Sequence, residues 1–164
     1  MKDELTMIQT NESGSYSRFL SDGCLCCQKG AKMVLFVTGL CGKDCFFCPL
    51  SESRKNIDVI FANERRVLSD ADILDEAHSM NAEGTGITGG EPLLKPEAVL
   101  HYISLLKKTF GRSHHIHMYS AMAPEDDILR RLAEAGLDEI RFHPPIEYWD
   151  RLSESSYGSS VAAA

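Results

Sequence analysis

Three cysteines, Cys41, Cys45 and Cys48, fall within eight residues in the stretch Cys41-Gly42-Lys43-Asp44-Cys45-Phe46-Phe47-Cys48-Pro49. Thiolate is a soft ligand that selects zinc, copper(I) or iron–sulfur clusters, so three on one short loop can converge on one metal centre. Their number narrows the choice. A closed structural zinc site or an ordinary [4Fe–4S] site takes four protein ligands. This loop offers three, and C-x-x-x-C-x-x-C is not the doubled C-x-x-C of a zinc site. A [4Fe–4S] cluster on three cysteines keeps one iron open to a non-protein ligand.

A second motif follows about forty residues later: Ile87-Thr88-Gly89-Gly90-Glu91-Pro92-Leu93-Leu94. Paired glycines let backbone approach a ligand closely and reach dihedrals closed to other residues. Alone, such a pair reads as an ordinary glycine turn. The cysteine spacing, Phe47 just before the third cysteine, the apolar run in front and this second motif together resemble the radical S-adenosylmethionine superfamily. The resemblance implies a [4Fe–4S] cluster on Cys41, Cys45 and Cys48, its fourth iron chelated by S-adenosyl-L-methionine. It also implies cofactor contacts from Phe47, Gly89, Gly90, Glu91 and Pro92, with Phe47 packing on the adenine and the glycine motif holding the methionine amino group. The implied chemistry is reductive cleavage of S-adenosylmethionine to a 5′-deoxyadenosyl radical that takes hydrogen from a substrate, unknown here. A low-potential electron donor of flavodoxin or ferredoxin type is the implied redox partner. Pro49 and the upstream cysteines look most like the proteins related to pyruvate formate-lyase activating enzyme. No side chain is singled out as catalytic.

The elements that must position these motifs alternate. Met33 to Thr38 reads as a parallel strand covered on both faces, and Gly84 to Thr88 as a short strand delivering Gly89-Gly90. His115 to Tyr119 and Leu137 to Phe142 complete four strands. Ile57 to Phe61 is either a short strand or a connector. Between them lie helices over Asp70 to about Asn81, with Ser69 as N-cap, over Pro96 to Phe110, and over Pro124 to Ala135. Consecutive strand–helix units predict an α/β fold with a curved parallel sheet, whose ligand loops lie beyond the carboxyl ends of the strands. The resemblance makes this a partial (β/α) barrel of radical SAM type with about four of six units present, so the chain reads as C-terminally truncated. Its last strand is then an open edge able to drive self-association.

Residues 1–30 read as a polar extension, including a short helical turn, that ends in a cysteine-rich turn; 31–152 as the core; and 153–164 as a small, polar, flexible tail. Cys24 and Cys27 form a C-x-x-C pair with Cys26 between. They are either ligands of a second metal site or thiols packed beside the main loop. His115, His117 and Tyr119 share one strand face. With no carboxylate or cysteine nearby in sequence, they read as the polar lining of a substrate cavity. Phe46 reads as core packing.

Composition bounds the rest. With 164 residues, 43% hydrophobic and 25% charged, one globular domain is expected. The net charge of −7 disfavours nucleic acid, and Arg65-Arg66 and Arg130-Arg131 read as solvated surface. No apolar run approaches the roughly 20 residues of a membrane span. Six cysteines between Cys24 and Cys48, without a secretory signal, fit metal binding in a reducing cytoplasm. The competing class is a non-catalytic iron–sulfur electron carrier or zinc-stabilised binding module, which has no need of the Gly89-Gly90 motif.

The ligand assignment is testable by substitution. Cys41→Ala, Cys45→Ala or Cys48→Ala is expected to abolish the visible absorbance of the reconstituted cluster, whereas Cys24→Ala, Cys26→Ala and Cys27→Ala keep it. Loss in Cys24→Ala as complete as in Cys45→Ala refutes the three-ligand assignment.

Overall fold

The computed structural model describes residues 8–9, 16–17 and 21–164. Strands β1 (Ile8–Gln9) and β2 (Tyr16–Ser17) form a small antiparallel pair. The helical turn expected in the polar extension lies outside the described residues. The main sheet has six strands. Four are parallel and adjacent: β3 (Lys32–Phe36), β6 (Gly84–Thr88), β7 (His115–Ser120) and β8 (Glu139–Phe142). The segment after Ile57, undecided in sequence, forms a hairpin of β4 (Phe61–Ala62) and β5 (Arg65–Arg66), antiparallel against the outer edge of β3.

Helices α2 (Asp70–Ser79), α3 (Pro96–Phe110) and α4 (Asp126–Ala135) occupy the connections, as the periodicity predicts. Each boundary has a local cause. Ser69 N–H donates to Asp72 Oδ2 at 2.9 Å in a capping box that opens α2. Pro96 starts α3 where its missing N–H costs nothing. Gly136 takes the left-handed conformation that closes α4. Alternation along the strands sends Met33, Leu35, Ile87, Ile116 and Met118 to one face, fully buried against Ile73, Ile103 and Leu106 of the helices. This is the α/β fold of four parallel strand–helix units.

The other face differs from expectation. The cysteine-rich turn is a helix, α1 (Asp22–Gln28), with Ser21 as its N-cap, and it packs on β6 and β7. A polar side chain at the cap and a 3.6-residue repeat too short to register in sequence explain the difference. α1 does not extend over all of β3: Val34 remains 46% exposed, so that strand is not covered on both faces.

The C-terminal segment is also helical. A kinked 3-10 helix over Ile146–Glu154 leads into α5 (Ser156–Ala163). Tyr157 and Ser160 are buried, and they donate to Ala121 O at 2.6 Å and Pro124 O at 2.9 Å. Small residues let α5 lie close to α4, which a reading of polarity as flexibility overlooks.

The contribution of α5 is measurable by chemical denaturation. Tyr157→Ala is expected to cost about 3 kcal/mol and Tyr157→Phe about 1 kcal/mol. Val161→Ala, at an exposed position, should stay within about 0.5 kcal/mol of wild type. Equal stability of all four proteins would mean that α5 does not dock.

Candidate functional site

The cysteine loop leaves the sheet at Thr38 and is tied down at its root. Thr38 is fully buried; its hydroxyl donates to Asp58 Oδ1 at 2.8 Å and accepts from Leu40 N–H at 3.2 Å. Lys95 and then the Thr38 hydroxyl hold the Asp58 carboxyl below its ordinary range. Gly39 N–H donates to Ile57 O at 2.9 Å and Asn56 N–H to Gly39 O at 2.8 Å, closing the loop upon itself. A Cβ on Gly39 would stand 1.7 Å from Arg54 O, so no other residue fits there.

From this root the loop carries Cys41, Cys45 and Cys48 to the wall of a cleft of about 460 Å3 beyond the carboxyl ends of the parallel strands. Gly89, Gly90 and Pro92 border the same cleft, as do Tyr119 from β7 and His143 after β8. Four segments far apart in sequence thus meet at one opening. Burial, and then the neighbouring Cys41 and Cys48 thiols, push the Cys45 thiol up. Three thiolates so placed repel one another, and a cationic metal centre relieves this. Three soft thiolate donors on one short loop match the cysteine ligands of an iron–sulfur cluster with one iron left open. The donor set therefore fits a [4Fe–4S] cluster.

Phe47 lines the cleft and is 46% exposed. Phe46 is 84% exposed, so the core-packing reading of it does not hold; its ring meets Phe47 edge to face at 5.0 Å. Phe46 sits on the long connection between β3 and β4, away from the helix-covered face where the core packs.

The glycine motif is built differently from its sequence reading. Gly90 N–H donates to Thr38 O at 2.6 Å and Glu91 N–H to Leu40 O at 2.8 Å. A Cβ on Gly90 would lie 2.3 Å from Leu40 O, and one on Gly89 2.6 Å from Thr38 O. The close approach that demands glycine is therefore to the root of the cysteine loop. No described backbone N–H donates to the carbonyls of Gly89 or Gly90. Glu91 does not line the cleft. Its carboxylate is 2% exposed and accepts from Leu93 N–H (3.0 Å), Ser120 Oγ (2.9 Å) and Ala121 N–H (2.7 Å). It ties the end of β6 to the end of β7.

The inner face of the sheet also holds a cluster that the sequence reading missed. Arg141 donates to Glu139 Oε1 at 2.6 Å, to Tyr119 OH at 2.6 Å and to Cys24 Sγ at 3.4 Å. His117 is 3% exposed, and burial, then Lys32, pushes its pKa down to about 4. Period-two alternation in β8 puts Glu139 and Arg141 on one face, but only the parallel register aligns that face with the histidines. A carboxylate does complete this group, contrary to the sequence reading.

Among the described residues, no helix is long and apolar enough to cross a membrane. Residues 35–152 match the radical SAM superfamily. The chain is 48% identical over 128 residues to a protein of Methanocaldococcus jannaschii named "Putative glycyl-radical enzyme activating enzyme MJ0021". That alignment covers 76% of this chain and 33% of the relative, so the matched part spans about a third of the relative's length. No solved structure matches the chain. Because the family match runs through the cysteine loop, the paired glycines and the ends of all four parallel strands, the chain belongs to the radical SAM superfamily of enzymes.

Proposed function

We propose that this chain binds a [4Fe–4S] cluster through Cys41, Cys45 and Cys48 and S-adenosylmethionine in the adjoining cleft, and that it generates radicals there. The carrying observation is the one cleft that brings the three-thiol loop together with Gly89 and Gly90. Bound there, cluster and cofactor supply reductive cleavage of the sulfonium to methionine and a 5′-deoxyadenosyl radical that abstracts hydrogen.

The chain's own residues hold and shield. The Gly89 and Gly90 carbonyls accept from the cofactor's ammonium, and Lys43 and Lys55 at the rim offer charge to its carboxylate. Phe47 covers one side of the cleft, and Tyr119 and His143, edge to face at 5.3 Å, form its floor toward the substrate. Pro92 borders the cleft while Glu91 braces it from beneath. The name of the archaeal relative supports a finer reading, in which the hydrogen comes from a glycyl residue of a partner enzyme. An electron donor of flavodoxin or ferredoxin type completes the partners. β8, last in the sheet order, is the edge through which the chain self-associates. A cytoplasmic, reducing setting suits the free thiols.

The test is anaerobic reconstitution with iron and sulfide, then S-adenosylmethionine and a strong reductant, with 5′-deoxyadenosine and methionine as readouts. Retention of zinc in preference to a cluster would favour the non-catalytic metal protein instead. Gly90→Val is expected to lower iron content and cofactor affinity together, because its side chain would displace Leu40 at the loop root. Wild-type iron content with cofactor binding alone lost would instead place Gly90 directly against the cofactor.

A further inference from the structure

Two buried side-chain atoms have no hydrogen-bond partner among the described residues: His117 Nδ1 and Glu139 Oε2. Native interiors seldom leave such atoms alone, and each demands an explanation. These two belong to residues paired directly across the parallel strands β7 and β8, on the same face. His115 stands two residues back along β7. One ligand atom from each of His115, His117 and Glu139 lies within 4.8 Å of the others.

The surrounding groups aim these atoms at a common point. Lys32 Nζ is hydrogen-bonded with His115 Nδ1 at 2.7 Å, which turns Nε2 toward Glu139. His115 Nε2 lies 3.6 Å from Glu139 Oε2. That is too long for a hydrogen bond, but close to the roughly 3.3 Å between two ligands of a tetrahedral zinc with bonds of about 2.0–2.1 Å. Arg141 Nε and Ser21 Oγ both donate to Glu139 Oε1, leaving Oε2 to face the histidines. Gly86 makes room for the His117 ring: a Cβ there would meet Nε2 at 2.8 Å. Gly23 lets α1 close over the group, since a Cβ on it would lie 2.8 Å from Glu139 Oε2 and 2.9 Å from His115 Cε1.

We propose that His115, His117 and Glu139 form a mononuclear site for a zinc-class divalent ion, separate from the cysteine loop. Two imidazoles and a carboxylate match the ligand set of zinc sites that keep a fourth position open. Lys32 and Arg141 already border the site with positive charge. The ion must therefore be held by coordination to nitrogen, which excludes magnesium and calcium in favour of an imidazole-seeking metal. None of the three residues lines the cleft. Tyr119, next along the same strand face, separates the two sites. The ion staples β7 to β8 at the covered end of the inner face, beneath α1.

Cobalt(II) is the probe, added anaerobically to the cluster-reconstituted chain. Expected is one cobalt per chain with visible d–d bands and no thiolate-to-cobalt charge transfer in the near ultraviolet. Zinc should displace it; excess magnesium or calcium should not. Glu139→Gln and His117→Gln are each expected to weaken binding by more than the roughly 10–100-fold that follows loss of an outer-shell partner. Zinc should also raise the melting temperature of the unsubstituted chain, a readout that needs no variant to fold. The proposal is overturned by thiolate charge transfer, by affinity unchanged in both variants, or by the absence of cobalt binding and of a zinc-dependent melting shift. None of these readouts involves S-adenosylmethionine cleavage, so they stand apart from the function proposed above.

Discussion

Beyond Phe36 and Thr88, where β3 and β6 end, the two chains stay paired: Val37 N–H donates to Thr88 O, Gly90 N–H to Thr38 O and Glu91 N–H to Leu40 O. This extension of the ladder brings the root of the cysteine loop against the glycine motif. It is possible only because Gly39, Gly89 and Gly90 have no side chains, each facing backbone oxygen at distances no Cβ tolerates. Glu91 then carries the constraint onward. Its buried carboxylate, engaged by Ser120 and Ala121, sets the end of β7 against the end of β6. Three strand ends are thereby held as one platform. A buried carboxylate is costly unless its lone pairs are used, and here three donors use them.

The sheet is two-sided in chemistry as well as in shape. One face is a helix-covered apolar core of ordinary kind, in which Met33, Leu35, Ile87 and Met118 exclude water completely. The opposite face carries Lys32, His115, His117, Tyr119, Glu139 and Arg141, with glycine at positions 84 and 86 between them. Charged groups are partly buried there beside α1 and engage one another through a hydrogen-bonded network. Such a network is stabilising only when every member is satisfied. Its two open atoms, on His117 and Glu139, are therefore the informative ones.

The cleft and the polar face meet at Tyr119. Its hydroxyl accepts from Arg141 Nη1, while the residue itself lines the cleft beside Ser120 and His143. A change in the Glu139–Arg141 pair therefore reaches the cleft floor through one side chain. α5 reaches it from the other direction, because Tyr157 donates to the carbonyl of Ala121, which borders the same opening. The platform is thus supported from the inner face and from the C-terminal helix together.

The amino-acid sequence alone determined the local features. The four parallel strands, the three crossover helices and the positions of both motifs at strand ends follow from periodicity, caps and glycines, each governed by neighbours a few residues away. Three thiols in eight residues likewise declare a soft-metal loop without any knowledge of the fold. Three matters were left to the tertiary structure. Glu91 is a brace rather than part of the cleft lining because Ser120 and Ala121, some thirty residues away, fall beneath it. α1 and α5 read as a turn and a tail because each is too short to form from propensity alone and is stabilised by what it packs on. Glu139 joins His115 and His117 only through the parallel register of β7 and β8, and a contact across more than twenty residues leaves no periodic trace in the chain.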